Sequence, residues 1–275
     1  MLRRGPRSLP VATRTCDVSR LYSQLDKTMK QVILGDVHDL IGTMSLILAS
    51  EEPYDETWVT GDFFDSWGHN EKQAKNTAIY LDDYLGNRRN HSILGNHDVH
   101  YLYPHVQSMR CSGYTRNKLD IIRRNLNVAK IRHQMPLHAW IDDFLMTHGG
   151  VHEAFAHPVM GFNREWIDRL MTDAYHDLEA GIVTPVVKPG AARYGRQDVG
   201  GPLWLDWHSE FKPIEGLNQI VGHTPSKIRT VEMLVGKNSV NYCVDCGLRQ
   251  YLVIQDGIVA VKDTPIEFFR NAYYL

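Results

Sequence analysis

Short apolar runs, each followed by glycine and then a carboxylate, amide or imidazole side chain, recur along this chain. Residues 31–35 read as a short buried strand bounded by polar residues. Behind it, Ile41, Met44 and Leu48 keep helical spacing. Residues 57–60 give a second strand. Ala74, Ala78, Leu81 and Leu85 then mark one face of a helix, with Gly86-Asn87 expected as its C-cap. Residues 91–94 give a third strand. The first half is thus strand, loop, helix repeated, and in open α/β sheets sites gather beyond the carboxyl ends of strands.

The second half is richer in strands. Residues 128–131, 137–141 and 144–147 read as strands, and Ile167, Leu170, Ala174 and Leu178 place a helix over 165–178. Residues 181–216 look irregular, with Pro185, Pro189, Pro202, Pro213 and several glycines, and are expected to form a surface loop or cap over the site. Further strands are expected near 219–221, 227–231, 240–244, 251–254 and 258–261. No internal repeat or low-complexity tract interrupts this order. The expectation is one α/β domain over 29–275, with two packed mixed β-sheets flanked by helices, preceded by a basic extension over 1–28.

Composition narrows the function classes. The 275 residues are 43% apolar and 23% charged, ordinary for a globular protein, and the net charge is −2. That charge gives no general basic field, so nucleic acid is not expected as a main partner. No apolar stretch approaches the ~20 residues of a membrane span. Arg3, Arg4, Arg7 and Arg14 precede the first acidic residue, Asp17, without the apolar core of a secretory signal. The reading is a cytoplasmic protein with a basic tail, organellar targeting by that tail being the alternative. Four cysteines do not make a disulfide framework. Cys243-Val244-Asp245-Cys246 matches a redox or zinc spacing, but it lacks a second such pair and reads better as two strand-end residues.

The chemistry lies in five motifs in fixed order: Gly35-Asp36-Val37-His38, Gly61-Asp62-Phe63-Phe64-Asp65, Gly95-Asn96-His97-Asp98, Thr147-His148-Gly149-Gly150 and Gly222-His223-Thr224. Each alone could be a turn or a strand end; their joint order is what argues for function. They offer carboxylate, amide and imidazole ligands without thiolate, a donor set for Mn, Fe, Zn, Ni or Co. Two ions ~3.5–4 Å apart need a shared ligand, and Asp62 is the candidate bridge. Asp36 and His38 can turn to one ion; Asn96, His148 and His223 can complete the other. His97, beside the ligand Asn96, is suited to general-acid work, with Asp65 fixing its tautomer. The remaining histidines, His100 among them, have no such frame and read as surface or core residues.

These motifs, spanning residues 32–247, resemble the calcineurin-like metallophosphoesterase superfamily, most closely its phosphoprotein-phosphatase and diadenosine-tetraphosphatase branch. The resemblance implies a first metal on Asp36, His38 and Asp62, and a second on Asp62, Asn96, His148 and His223. It implies two divalent ions, manganese first among them, a bridging hydroxide attacking phosphorus in line, His97 as the acid and Asp65 as its partner. The chain departs from the branch at three points: Ser66-Trp67-Gly68 stands where Arg-Gly usually follows, Trp204-Leu205-Asp206 lacks the usual Ser, and Asp39 replaces a Gly. An Arg fork binds phosphate bidentately, so its loss changes recognition. Arg193, Arg196, His208 or Arg164 are candidates to replace it, and Trp67, Trp204 and Trp207 either stack on substrate or pack. The expected function is a phosphomonoesterase or a nucleotide or phosphoprotein phosphatase. The alternatives are a phosphodiesterase or nuclease, and a non-catalytic protein-binding scaffold.

Overall fold

The computed structural model describes residues 29–265, apart from positions 67, 69, 158 and 160. The expected basic extension over 1–28, and Trp67, lie outside the described residues.

All four residues of β1 (Gln31–Leu34) are buried, because both faces of this strand are covered. Ile33 points into a cluster between two sheets, while Val32 and Leu34 pack on the helix side. β1 pairs in parallel with β2 (Glu56–Val59), which pairs in parallel with β3 (Asn90–Ser92). β4 (His138–Ile141), β5 (Phe144–Thr147), β6 (Asn218–Val221), β7 (Glu232–Gly236) and β8 (Ser239–Cys243) form the second sheet, in the order β4-β5-β6-β8-β7. β9 (Gln250–Gln255) and β10 (Ile258–Asp263) complete the first sheet, in the order β10-β9-β1-β2-β3. β5, β6 and β8 are mutually parallel, and the edge strands β4 and β7 run antiparallel to their neighbours. Ile33, Ile93, Leu252 and Ile254 meet Ile141, Met146 and Ile220 between the sheets. Each such side chain contributes ~1.5–3 kcal/mol by leaving water.

Among the described residues six α-helices flank the sheets: α1 (Ile41–Glu51), α2 (Glu71–Gly86), α3 (Asn96–Leu102), α4 (Arg116–Asn125), α5 (Val128–Gln134) and α6 (Arg164–Glu179). α2 starts with a reciprocal cap. Asn70 Oδ1 accepts from the Gln73 amide at 3.0 Å, and Gln73 Oε1 from the Asn70 amide at 3.2 Å. Its buried face contains Ala74, Ala78, Leu81 and Leu85, as the periodicity requires.

Two local expectations are corrected, and one helix is additional to those expected. Residues 128–131 are helical, not extended: Asn127 caps the Lys130 amide at 3.1 Å, and Ile131 is the one buried residue of α5. Residues 227–231 form a turn, with Arg229 at φ 59°, and the strand begins at Glu232. As expected, α2 ends at Gly86-Asn87: Gly86 is its last residue and Asn87 its C-cap, leaving extended at φ −90° and ψ 121° with its amide donating to Tyr84 O at 3.2 Å. α4 was not expected, because its buried residues are just Lys118, Leu119 and Ile122 among charges.

Between α6 and β6 the chain runs irregularly through two short 3-10 turns, Pro185–Val187 and Ala191–Arg193. Glu210 organises this segment from within. Its buried carboxylate accepts from the amides of Gly200 and Asp206 at 3.1 Å each and of Ala192 at 3.3 Å.

Candidate metal centre

The carboxyl ends of parallel strands from both sheets deliver the motif residues to one place. Asp36 and His38 follow β1, Asp62 follows β2, and Asn96 and His97 open α3 after β3. His148 follows β5 and His223 follows β6. The loops are knit by their backbones: the amides of Val37 and His38 donate to Asp62 O at 3.1 and 2.8 Å. The loops of Asp62 and Asn96 touch so closely that a Cβ on Gly61 would meet the backbone of Gly95. A Cβ on Gly222 would likewise collide with Asp36 Oδ1 and Thr60 Oγ1, so that glycine keeps room for the carboxylate. His38, Asp62, Asp65 and His223 sit at φ 41°, 51°, 68° and 67°. Non-glycine residues in the left-handed region cost free energy, and they cluster at sites where surrounding contacts over-determine the backbone.

Two groups of ligating atoms form, each within 4.8 Å: Asp36, His38 and Asp62, and Asp62, His148 and His223. Asp62 belongs to both. Imidazole tautomers follow from their backbone partners. His38 Nδ1 lies 2.8 Å from Phe64 O and His148 Nδ1 lies 2.7 Å from Thr60 O; a carbonyl accepts, so both Nδ1 atoms donate. In the neutral rings Nε2 then carries a lone pair. His148 Nε2 lies 2.8 Å from Asn96 Oδ1 and 3.3 Å from Asp62 Oδ2, both acceptors. Asn96 Oδ1 also faces His223 Nδ1 at 2.8 Å, while its Nδ2 points away to Cys111 Sγ at 3.6 Å. When His148 is neutral its Nε2 lone pair faces the Asn96 and Asp62 oxygens, an arrangement that either a proton or a metal cation satisfies, and the mixed oxygen and nitrogen set suits divalent first-row metals.

The carboxylates say the same. Asp36, Asp62, Asp98 and Asp245 are all buried, and Asp245 Oδ2 has no hydrogen-bond partner. Burial, then the charges of Asp245 and Asp62, push the Asp36 carboxyl well up, despite His148 nearby and a 2.7 Å hydrogen bond from Thr60. Burial also opposes charge on Asp62, but the surrounding His148, His97 and His38 hold its carboxyl well below the usual range. Burial lowers His148, but the Asp62 and Asp36 charges outweigh it and raise the ring to about 9. Burial and the neighbouring cations push His223 well down, leaving a neutral ring. Such a concentration of buried negative charge fits two divalent ions, with Asp36, His38 and Asp62 able to hold one, and Asp62, Asn96, His148 and His223 the other.

His97 stands beside this centre. Its amide donates to Asp62 Oδ1 at 2.7 Å, its Nδ1 lies 3.3 Å from Asp65 Oδ2, and its ring meets that of His38 edge-on at 5.2 Å. Burial lowers the His97 ring, but the Asp62 charge and the Asp65 hydrogen bond overcome it and raise it to about 11. Asp65 is shared: it also accepts from His100 Nε2 at 2.8 Å, Tyr101 Oη at 2.7 Å and Lys118 Nζ at 2.9 Å. Burial raises the Asp65 carboxyl, yet these donors hold it well below the usual range. His100 therefore has a defined polar role beside the site that its sequence position did not suggest.

A cavity of about 730 Å³ opens onto the centre, lined by His38, Asp62, Asn96, His97 and His223 and also by Cys111, Lys118, Arg193 and Trp204. Of the four candidate replacements for the missing Arg, just Arg193 lines it. Its Nη2 is held by Asp206 Oδ2 at 2.9 Å and Thr224 Oγ1 at 3.2 Å, while its buried Nε has no partner. Arg196 is exposed, and His208 turns to Pro225 O and Glu232; neither lines the cavity. Arg164 lies over Trp140. Trp204 borders the cavity, whereas Trp207 is buried against Phe211. Cys243 and Cys246 are free and buried. Burial pushes Cys243 well up and Cys246 to about 11, as befits unreactive packing thiols. Lys118, His100 and Cys111 have no site role in the sequence reading, whereas Asp98 stands in the third motif and Asp245 at a strand end, both without a ligand role there.

Two mixed five-stranded sheets, flanked by helices and carrying on their strand ends side chains that could hold metal ions, define an α/β fold with a candidate metal centre. The chain belongs to the calcineurin-like phosphoesterase family, whose model matches residues 29–227. No curated protein sequence matches the chain significantly. Among solved structures it is similar to a metallophosphoesterase from Sphaerobacter thermophilus, at 14% identity and TM-score 0.44, over 87% of this chain and 89% of that one. It is also similar to a protein serine/threonine phosphatase from Saccharomyces cerevisiae, at 12% identity and TM-score 0.49, over 86% and 80%. No helix of the described residues is long and apolar enough to cross a membrane.

Proposed function

We propose that this chain hydrolyses phosphoesters with two divalent ions, manganese first among the candidates, and acts as a phosphomonoesterase on a phosphorylated small molecule, nucleotide or phosphoprotein. The observation that carries this reading is the membership of Asp62 in both ligand groups, which is what a pair of closely spaced ions requires. The ions would supply activation of water and neutralisation of phosphoryl oxygens.

The chain's own residues account for the rest. His97 borders the cavity and can give a proton to the leaving oxygen from the ring nitrogen opposite Asp65. Asp65 keeps that ring oriented. Arg193 offers a guanidinium, anchored from behind by Asp206, to the non-reacting phosphoryl oxygens, taking over what Ser66 cannot do.

The test is hydrolysis of p-nitrophenyl phosphate and bis-p-nitrophenyl phosphate by metal-stripped protein with Mn, Ni, Zn or Mg restored, beside His97→Ala. Metal-restored monoester cleavage that falls ~10²–10⁴-fold in the variant supports the reading. Preference for the diester would replace it with a phosphodiesterase. Absence of turnover despite bound metal would favour a binding scaffold.

A further inference from the structure

A third set of ligating atoms lies on the wall of the same cavity. A ring nitrogen of His97, a ring nitrogen of His100 and Cys111 Sγ fall within 4.8 Å of one another. Unlike the two groups built on Asp62, this set contains sulfur.

One edge of the set has the spacing of metal ligands. His100 turns Nε2 to Asp65 Oδ2 at 2.8 Å, so its Nδ1 lone pair faces Cys111, with Sγ at 3.4 Å and the backbone amide donating to it at 3.4 Å, a long contact that a metal ion would replace. A carboxylate behind a ligating imidazole fixes its tautomer and raises its basicity. Tetrahedral zinc, with bonds of ~2.3 Å to sulfur and ~2.0 Å to nitrogen, separates those two atoms by about 3.5 Å. The observed spacing matches that edge. The same Asp65 oxygen lies 3.3 Å from His97 Nδ1, so one carboxylate backs both rings. Asn96 Nδ2, 3.6 Å from Cys111 Sγ, steadies the sulfur from the other side. His97 and Cys111 both line the cavity, which leaves the fourth direction open to water or to an oxygen of a ligand.

We propose that His97, His100 and Cys111 form a third, thiolate-containing metal site that takes Zn²⁺ or another thiophilic divalent ion. Thiolate and imidazole donors select such ions over Mn²⁺ or Mg²⁺. Occupation ties up the His97 ring, so excess zinc switches hydrolysis off. This last consequence rests on His97 being the acid of the proposed reaction; the coordination itself does not.

The test is titration of the metal-stripped full chain with Co²⁺, read by absorption. The ligands on Asp36, His38, Asp62, Asn96, His148 and His223 contain no sulfur, so they give no thiolate-to-cobalt charge-transfer band. The site predicts that band, with binding beyond two equivalents, its displacement by Zn²⁺ and its loss in Cys111→Ser. His100→Gln, checked for folding by circular dichroism, should weaken the band's apparent affinity ~10- to 100-fold or more. Zinc inhibition, measured relative to each protein's own rate, should need correspondingly more metal in Cys111→Ser. No band, or a band that persists in Cys111→Ser, overturns the site and leaves a hydrogen-bonded cluster. A Cys111-dependent band in a protein that hydrolyses nothing supports the site and overturns the phosphoesterase reading instead.

Discussion

The carboxylate of Asp98 holds the backbone of Asp62. Asp98 Oδ2 accepts from the Asp62 amide at 2.8 Å, and Oδ1 from the Phe63 amide at 2.9 Å. Oδ2 also accepts from the Gly95 amide at 3.1 Å, so one buried side chain ties together the loops that carry Asp62 and Asn96. Asp62 occupies the left-handed region at φ 51°, and these bonds help keep it there. Asp98→Asn retains one acceptor and turns an NH₂ donor onto a backbone amide. The expected cost is ~1–3 kcal/mol, seen as a lower denaturant midpoint, together with weaker metal binding by titration calorimetry. Unchanged stability and unchanged metal affinity would show that the loops are held without it.

Arg193 is the second site to test. Arg193→Ala should lower kcat/KM by ~10- to 100-fold, the effect of losing a charge-assisted hydrogen bond of ~1.5–3 kcal/mol. Arg193→Lys should restore part of it, because charge returns without the fork. Arg196→Ala, at an exposed position off the cavity, should stay within ~0.5 kcal/mol in stability and leave kcat/KM near the parent value. Equal losses for Arg193→Ala and Arg196→Ala would sink the assignment of Arg193.

The pH dependence of stability in metal-stripped protein follows from the raised imidazoles. A group whose folded pKa exceeds its unfolded value stabilises the fold at low pH, and that contribution disappears as pH rises through the folded value. His148 is raised from 6.5 to about 9 and His97 from 6.5 to about 11. Between pH 7 and about 9, thermal melts of the stripped protein should therefore fall steadily. Added Mn²⁺ should stabilise the fold by ~2.7 kcal/mol at a hundred times Kd, raising the midpoint, and flatten the slope, because a ligated His148 nitrogen no longer carries a proton. A stripped protein that grows more stable over this range would contradict the electrostatics.

How much was legible in the sequence depended on how local the physics was. The strands of both sheets carry short apolar runs, and α2 carries a wide apolar stripe. Those signals need no partner to be read. α4 escaped notice because its buried face is just Lys118, Leu119 and Ile122, and residues 128–131 were misread because three apolar side chains fit either period.

The sequence by itself determined which residues could be ligands, since the five motifs name Asp36, His38, Asp62, Asn96, His148 and His223 in order, each placed just past an apolar run. Tertiary structure alone decided which of them meet, because residues as far apart as Asp36 and His223 are joined just where strand ends of two sheets converge, the His223 amide donating to Asp36 Oδ2 at 2.9 Å. It also decided that Arg193 and not Arg196 reaches the cavity, and that His100 and Cys111 flank Asp65 and His97. Packing of the α3 helix and the loop after it sets those contacts, and no local pattern in the chain records the distance between two segments that pack.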